Sequence, residues 1–405
     1  MVDSPRARRT AASIAPSTFE SFAVTAPGVA PITAEELRAL GITADAVEPG
    51  GVAFTGSLEA LYRANLWSRT ASRVIVRVGE FHARAFGELE RRAQQLPWER
   101  FIGAGRAVRL RVTCRKSRLY HSDAVAERIA RVIESRTGLP AAIDTTAREP
   151  ESGGEEAAGA QLVIVRIFHD VCTVSADSSG ALLHMRGYRL ATAKAPLRET
   201  LAAAVLAASG WVSDAPLIDP LCGAGTIPIE GALIARRIPP GLGRRFAFMQ
   251  WPTFDAAVWQ RTLDDARAGI APSAPAPIQG SDRDAGAIDA ATANAERAGV
   301  LGDIAFSAVA LSRVTPPAAL GWLVTNPPYG VRVGDVDRLR NLYAQLGNVA
   351  RRVCAGWTLA LLSADARLDA QLRMDLDVVL RTRNGGIPVH VARGIVPYGA
   401  VSARG

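Results

Sequence analysis

The segment Thr325-Asn326-Pro327-Pro328-Tyr329-Gly330 follows an apolar run and could bind an amine. Two adjacent prolines fix the backbone, so the side-chain oxygen of Asn326 and the carbonyl of Pro327 can point the same way as two acceptors. An exocyclic NH2 group has two donors, and accepting both would direct its lone pair toward a sulfonium methyl group. The acceptors would also stabilise the positive charge that grows on nitrogen, without a strong general base.

Tyr329 follows this pair and would stack on the base that bears the amine, as aromatic side chains do with unstacked nucleotides. The alternative is a rigid Pro-Pro turn with a tyrosine packed in the core. The two further motifs described next favour the amine-binding interpretation.

The segment LIDPLCGAGTIPIEGA has the form of a cofactor-binding turn. It places Asp219 at the carboxyl end of a predicted strand, a glycine-flanked turn at Gly223 and Gly225, and a helix from about Thr226. Glycines let a ligand approach the backbone closely, and ligands bind at the carboxyl ends of such strands. The alternative is a tight turn with a purely structural role.

A dinucleotide is disfavoured as the ligand of this turn. The phosphate-binding fingerprint needs a third glycine where Pro228 stands, and later an acid where Arg244 and Arg245 stand. Pro228 itself is compatible with the first turn of a helix, where backbone donors have no intrahelical partner. Asp282 ends the next predicted strand, and its carboxylate could accept both ribose hydroxyls of an adenosyl group.

The elements that would hold these motifs alternate regularly beyond about residue 197. Helical and strand patterns follow one another from RETLAAAVLAASG to WTLALLS, with each motif at a strand end. Such alternation predicts right-handed βαβ units and a parallel sheet covered on both faces, hence an α/β fold.

The first half of the chain predicts a smaller α+β unit with helices on one face of a sheet. Its first helix is expected to be capped by Thr33 and to end at Gly41, and its second to run from a Ser57 cap to about Arg73. The stretch TTAREPESGGEEAAGA should be a loop inside this unit, and residues 1 to about 18 a disordered lead. The boundary between the halves is expected near residues 189–196.

Composition favours a polyanionic partner. The chain of 405 residues has a net charge of +8, and 45 of its 47 basic residues are arginines, which suit phosphate contacts and base stacking. Four dispersed cysteines indicate neither a zinc site nor a cluster and fit a reducing cytosol. No segment has the pattern of a signal peptide or a membrane span, so a cytoplasmic location is expected.

A basic strand and turn in the first half could bind RNA through phosphates and shape. The alternative is a solvated strand face, since arginine is abundant throughout. The candidate RNA-binding residues are Arg109, Arg111, Arg115, Lys116, Arg118 and Tyr120.

In this order the motifs resemble the bacterial THUMP-domain-containing RNA methyltransferases, especially the guanine-N2 enzymes acting on large-subunit (23S) ribosomal RNA. The matching segments of the second half run from LLHMRGYR and KAPLRETLAAA through DPLCGAGTIPIEGA and GSDRD to TNPPYG. In the first half, YRANLWSRTASRV and KSRLYHSDAVAERI resemble that family's ferredoxin-like segment and THUMP domain. The resemblance spans nearly the whole chain.

The resemblance implies a C-terminal Rossmann-like class I methyltransferase domain, an N-terminal α+β ferredoxin-like and THUMP RNA-binding region, and S-adenosyl-L-methionine as cofactor. The implied ranges are a lead at 1–18, the ferredoxin-like segment at 19–72, the THUMP-like domain at 73–188 and the methyltransferase domain at 189–405.

The resemblance also implies the roles of individual residues. The 223–225 turn would hold the methionine part of the cofactor, and Asp282 its ribose. The family often has an acid for the adenine amino group where this chain has Ala308, so backbone groups would bind adenine here. The implied catalytic residues are Asn326, Pro327, Pro328 and Tyr329. The implied cofactor-binding residues are Pro196, Leu197, Arg198, Asp219, Gly223, Ala224, Gly225, Thr226, Asp282 and Asn326.

Other functions stay open at this point. The same NH2 geometry occurs in tRNA bases, DNA adenine and the protein glutamine amide. A non-catalytic RNA-binding protein built on a decayed methyltransferase is also compatible with the loss of the acid at Ala308.

Overall fold

A computed structural model describes residues 18–143, 160–189, 197–329 and 336–398. Most of the predicted lead, most of the predicted loop and Pro196 lie outside these residues. The strands are β1 (Phe19–Thr25), β2 (Ala44–Glu48), β3 (Gly51–Gly56), β4 (Ala71–His82), β5 (Val108–Arg115), β6 (Ala141–Ile143), β7 (Gln161–Phe168), β8 (Val171–Asp177), β9 (Leu217–Asp219), β10 (Ile278–Asp282), β11 (Ile304–Ala308), β12 (Trp322–Thr325), β13 (Thr358–Ser363), β14 (Asp377–Asn384) and β15 (Ile387–Ile395). The α-helices are α1 (Ala30–Ala39), α2 (Leu58–Trp67), α3 (Phe86–Ala93), α4 (Ser122–Thr137), α5 (Glu199–Ser209), α6 (Thr226–Ala235), α7 (Ala256–Ala268), α8 (Ala285–Arg297), α9 (Val336–Val353) and α10 (Ala366–Asp369).

The first sheet has eight strands in the order β2-β3-β1-β4-β8-β7-β5-β6. Alternate residues of β1 are buried, and α1 to α4 pack against that buried face in one core, as the sequence predicted. β4 begins at Ala71 and pairs with both β1 and β8, so one sheet runs across the predicted limit at residue 72. Arg73 is buried there and pairs with Asp177 of β8.

Two local predictions in this half need correction. Thr33 does not cap α1: the helix begins at Ala30, and the hydroxyl of Thr33 lies 2.7 Å from that of Thr70 inside the fold. Pro31 explains the earlier start, since proline fits the first turn of a helix. The second predicted helix ends at Trp67 rather than about Arg73, because β4 begins at Ala71. Its predicted cap is confirmed, since Ser57 accepts a hydrogen bond from the backbone of Ala60.

The second sheet has seven strands in the order β11-β10-β9-β12-β13-β15-β14. The first five are mutually parallel, and β15 is antiparallel to both β13 and β14. Helices α5, α6 and α8 contribute to one core cluster on this sheet and α9 to another, which confirms the predicted sheet with two covered faces. Strand order reverses between β9 and β12, and ligands bind at such switch points.

The β14–β15 hairpin was not predicted. Gly385 and Gly386 connect its strands, and both have positive φ angles of 53° and 88°. Two positive φ angles define the tight turn that matches the twist of a hairpin, and glycine adopts them without strain.

A segment of the second half packs in the core of the first. Phe246, Phe248 and Trp259 of α7 and its preceding loop join the cluster under the first sheet. The ring of Phe248 stacks on Tyr62 of α2 with centroids 4.5 Å apart. The two sheets are therefore connected by shared side-chain packing as well as by the chain. Among the described helices, none is long and apolar enough to cross a bilayer.

Candidate active site

The glycine turn lies between the end of β9 and the start of α6, as predicted. Gly223 and Gly225 both adopt left-handed conformations, with φ of 52° and 81°. A Cβ at Gly225 would lie 2.9 Å from the Cβ of Ala291 on α8, so glycine is needed for that close approach. A Cβ at Gly223 would meet no atom within 4 Å, so this part of the turn faces open space. Pro228 lies in the first turn of α6, which confirms the sequence interpretation.

Asp219 joins the ends of β9 and β12. Its Oδ1 atom accepts hydrogen bonds from the hydroxyl of Thr325 at 2.6 Å and from the backbone of Leu221 at 3.1 Å. Burial raises the pKa of this carboxyl to about 7. Because Thr325 immediately precedes Asn326, Asp219 ties the glycine turn's strand to the asparagine motif.

Asp282 ends β10 next to the glycine turn. Its Oδ2 atom accepts a hydrogen bond from the backbone of Gly223 at 3.1 Å, and its Oδ1 atom one from Asp284 at 3.0 Å. Each carboxylate oxygen keeps a lone pair for a hydroxyl ligand. The neighbouring strand end is Ala308, which is paired with Asp282 in the parallel register of β10 and β11 and is exposed.

Asn326 follows β12 at the switch point. The Oδ1 atom of its side chain is buried and has no hydrogen-bond partner in the described part of the chain. An unpaired buried acceptor costs about 1–3 kcal/mol, so its retention needs an explanation. A donor brought by a ligand would supply the missing bond.

The three residues after Asn326 differ in how far they are buried. Pro327 is buried, Pro328 is exposed and Tyr329 packs partly against the core of the second sheet. The hydroxyl of Tyr329 accepts a hydrogen bond from the side chain of Asn384 at 2.7 Å. This hydrogen bond fixes Tyr329 to β14, and the side chain of Tyr329 stays partly exposed.

Two of the predicted cofactor-binding residues, Leu197 and Arg198, lie just before α5. Leu197 is buried in the core, and its carbonyl accepts a hydrogen bond from Arg189 at 2.9 Å. Arg198 is partly buried and occupies the N-cap position of α5. Pro196, also predicted to bind the cofactor, lies outside the described residues.

Two residues that the sequence interpretation missed support the glycine turn. Asn294 on α8 donates a hydrogen bond to the carbonyl of Ala224 at 3.0 Å, and Arg189 donates one to the hydroxyl of Thr226 at 2.6 Å. Arg297 in turn donates to Asn294 and to the carbonyl of Tyr188. No local sequence pattern indicates this support, because both hydrogen bonds to the turn join residues far apart in the chain.

The predicted RNA-binding residues lie on β5 and in the segment that follows it, and together they are here called the β5 surface. Arg109, Arg111 and Arg115 lie on the face of β5 opposite the buried Val108 and Leu110, and Tyr120 in the following turn is 66% exposed. Its remaining members are Lys116 and Arg118.

Phe168 was missed and adds an aromatic side chain to the β5 surface. Its ring is 45% exposed and lies 6.0 Å from the ammonium of Lys116. Asp170 lies in the turn between β7 and β8. Its side chain accepts a hydrogen bond from the backbone of Arg118 at 2.8 Å and so connects this turn to the segment after β5. The position of Phe168 opposite Arg115 depends on strand pairing between distant segments.

These observations fit an adenosyl cofactor and an amine substrate. The turn at Gly223 faces open space, and the carboxylate of Asp282 beside it can accept further hydrogen bonds. The Oδ1 atom of Asn326, which follows the neighbouring strand β12, has no hydrogen-bond partner among the described residues. Within the described ranges, no group of three or more His, Cys, Asp or Glu residues could hold a metal ion.

The strand order, together with the glycine turn, Asp282 and Asn326 at the ends of its strands, is that of a methyltransferase of Rossmann-like fold. The chain belongs to the UPF0020 family, described as the RMKL-like methyltransferase domain, which matches residues 186–393. Residues 20–75 match the RlmL ferredoxin-like domain. Both matches confirm the predicted family; the THUMP-like unit and the domain limits remain predictions.

Relatives cover the chain almost completely. It is 35% identical over 370 residues to a Synechocystis protein named "Putative RNA methyltransferase slr0064", covering 91% of this chain and 94% of that protein. It is 37% identical over 388 residues to a Syntrophotalea carbinolica "Ribosomal RNA large subunit methyltransferase K/L", but spans about half (52%) of that longer protein. The solved structure of SMU.472, a "putative methyltransferase complexed with SAH", is 30% identical with a TM-score of 0.81, covering 94% of this chain and 98% of its own.

Proposed function

We propose that this protein is an S-adenosylmethionine-dependent RNA methyltransferase that modifies an exocyclic amino group, most specifically guanine N2 of large-subunit ribosomal RNA. The observation that carries the proposal is the buried, unpartnered Oδ1 atom of Asn326 at the switch point. The names of the relatives support the RNA substrate, and so do the net charge and the β5 surface.

The proposal gives each of the chain's own residues at this site a task. S-adenosylmethionine, when bound, supplies an electrophilic methyl group. The turn at Gly223 binds its methionine part, and Asp282 accepts the ribose hydroxyls. The Oδ1 atom of Asn326 and the carbonyl of Pro327 accept the two N–H groups of the target amine and orient its lone pair. The Oδ1 atom of Asn326 is itself shielded from water, which strengthens its hydrogen bond as charge develops on nitrogen.

We assign RNA binding to the first half, with a THUMP-like unit at 73–188 beside the ferredoxin-like segment at 19–72 and catalysis at 189–405. A base must leave its stack to reach Asn326, and the exposed rings of Tyr120 and Phe168 could stack on unpaired nucleotides elsewhere in the RNA. The proposed setting is the cytoplasm, where ribosomal RNA is made and modified in bacteria.

Substitution of Asn326 by alanine tests the catalytic assignment. Methyl transfer to purified ribosomal RNA should fall by about 10²–10³-fold, the usual cost of losing one group that stabilises transition-state charge. Affinity for S-adenosylhomocysteine, measured by calorimetry, should change little because Asn326 faces the amine. Asn341→Ala on the exposed side of α9 is the matched control. Full activity of Asn326→Ala would refute the assignment.

The substrate is tested separately. Purified ribosomal RNA, tRNA, DNA and protein should be offered side by side, and the modified nucleosides identified by mass spectrometry. N2-methylguanosine in ribosomal RNA supports the full proposal, whereas methyladenine in DNA or methylglutamine would replace its substrate.

A non-catalytic RNA-binding role has one specific observation in its favour, which is the exposed Ala308 beside Asp282 where an acid would bind adenine. Calorimetry with S-adenosylmethionine separates the two functions. Absence of binding would favour the non-catalytic role.

A further inference from the structure

A second cleft lies between the two cores, formed by α1, α2 and α7 on one side and the end of α6 on the other. Its volume is about 520 Å³. This lies within the roughly 300–1,000 Å³ of small-ligand sites, which often form at the junction of two units. None of its lining residues belongs to the candidate active site.

Arg69 lines this cleft and has one hydrogen-bond donor without a partner among the described residues. Its Nη2 atom donates to the carbonyls of Leu233 at 3.2 Å and Ile238 at 2.7 Å and so caps the C-terminus of α6. Its Nη1 atom is buried and, as far as the chain is described, has no hydrogen-bond partner. A buried guanidinium N–H without an acceptor is costly, so a bound acceptor would be stabilising.

Two further guanidinium groups line the same cleft. Arg63 comes from α2, and Arg237 follows α6 with a φ angle of 56°, a left-handed conformation that is strained for a residue with a side chain. This conformation ends α6, because the backbone N–H of Ile238 donates to Leu233 and that of Arg237 donates to Ile234. Neither arginine has an ion-pair partner among the described residues.

Glu36 and the buried Glu230 stabilise the charge of Arg69, but neither makes a hydrogen bond to its Nη1 atom in the described part of the chain. The Oε2 atom of Glu36 already accepts hydrogen bonds from Ser68, from the backbone of Arg69 and from Thr70. Glu59 and Asp265 are exposed, so water screens their charges. A ligand oxygen would therefore supply the hydrogen bond that the Nη1 atom of Arg69 lacks among the described residues.

Trp67 adds a flat aromatic surface to the cleft and is partly exposed. Guanidinium groups bind phosphate through paired N–H donors, and indole rings stack on nucleobases. We propose that this cleft binds a nucleoside monophosphate unit, with its phosphate on Arg69, Arg63 and Arg237 and its base on Trp67. The unit is either a free nucleotide or one nucleotide of an RNA strand. The proposal does not depend on methyl transfer.

Calorimetry of the full chain with guanosine 5′-monophosphate tests this site, with S-adenosylhomocysteine added in excess to fill the cofactor pocket. The wild-type protein should show saturable binding, and Arg63→Gln/Arg237→Gly should weaken it at least tenfold. Glycine adopts the left-handed conformation at position 237 without strain, so the variant should keep its thermal stability. Arg261→Gln/Arg267→Gln, two exposed changes on α7 outside the cleft, also removes two positive charges and is the charge-matched control.

A second titration distinguishes the two sources, using a single-stranded RNA oligonucleotide at one fixed salt concentration. If the natural ligand is an RNA nucleotide, the double variant should weaken oligonucleotide binding by at least tenfold relative to the control Arg261→Gln/Arg267→Gln. If it is a free nucleotide, only monophosphate binding should fall, and guanosine without phosphate should bind weakly. Arg63→Gln alone should show a smaller loss of the same kind. Equal affinities of the double variant and the control for both probes would overturn the proposal.

Discussion

Asp219 is a single residue whose protonation should be visible in the stability of the protein. Its pKa is raised to about 7 by burial, against about 3.9 for an unfolded aspartate. Between these values the folded state holds a proton that the unfolded state has lost. The free energy of unfolding should therefore fall as pH rises from 4 to 7, by up to about 1.4 kcal/mol per pH unit from this group, and then level off.

The variant Asp219→Asn should lack this contribution, since its amide oxygen can still accept the bonds from Thr325 and Leu221 but does not titrate. Urea unfolding of both proteins between pH 5 and 8 measures the difference. The stability of the wild type relative to the variant should decrease with rising pH. Parallel stability curves would contradict it, and Asp289→Asn on the exposed side of α8 should behave like the wild type.

At the residue scale, the sequence could predict groups whose signal is local. The proline pair beside Asn326 and the glycines at 223 and 225 are recognisable without a structure because a few adjacent residues determine the backbone. The contact of Asn294 with Ala224 joins residues 70 positions apart, so no local pattern reveals it. Neither does any local pattern reveal that Tyr329 is anchored by Asn384.

Helix α8 should affect cofactor binding through one side chain. Asn294 holds the carbonyl of Ala224, so Asn294→Ala should leave the glycine turn less ordered and weaken S-adenosylhomocysteine binding by about tenfold, equivalent to about 1.4 kcal/mol. Calorimetry measures this affinity, and RNA binding should be unchanged. Thr292→Ala on the same helix is the control. Loss of RNA binding in parallel with the cofactor would indicate general disruption instead.

The β5 surface should bind RNA through its aromatic side chains as well as its charges. Tyr120→Ala and Phe168→Ala should each lower affinity for single-stranded RNA by about 1–3 kcal/mol, the usual range for loss of one stacked base. Fluorescence anisotropy with a labelled oligonucleotide measures the effect. Their salt dependence should stay like the wild type's, whereas Lys116→Gln should reduce the salt slope. Val212→Ala, an exposed apolar change elsewhere, should have no effect.

Secondary elements were predictable where one periodicity dominates. The helices α4, α5, α8 and α9 and the strands of the βαβ units have clear patterns, and the structure contains them. The hairpin β14–β15 was missed although Asn-Gly-Gly is a hairpin signal. Helix α7 was missed because its apolar residues pack into a core that is formed mostly by a distant part of the chain.

On the scale of the whole molecule, the two halves are less separable than the sequence suggests. Sequence order places α7 within the catalytic half, whereas its packing places it with the first sheet. Arg69 reaches from the first half to the end of α6, whose first turn begins at the glycine turn. The RNA-binding and catalytic regions therefore share structural elements, and a change in one can alter the stability of the other.

Phe248 tests this shared packing. Its side chain is fully buried and stacks on Tyr62, so Phe248→Ala should lower the free energy of unfolding by about 3–5 kcal/mol. Because the cavity would open under the first sheet, hydrogen exchange should speed up in β1 and β4, although residue 248 lies far along the chain. Val212→Ala in the same half is exposed and should leave exchange unchanged. Faster exchange confined to β9 to β15, with β1 and β4 still protected, would show that the two cores unfold independently.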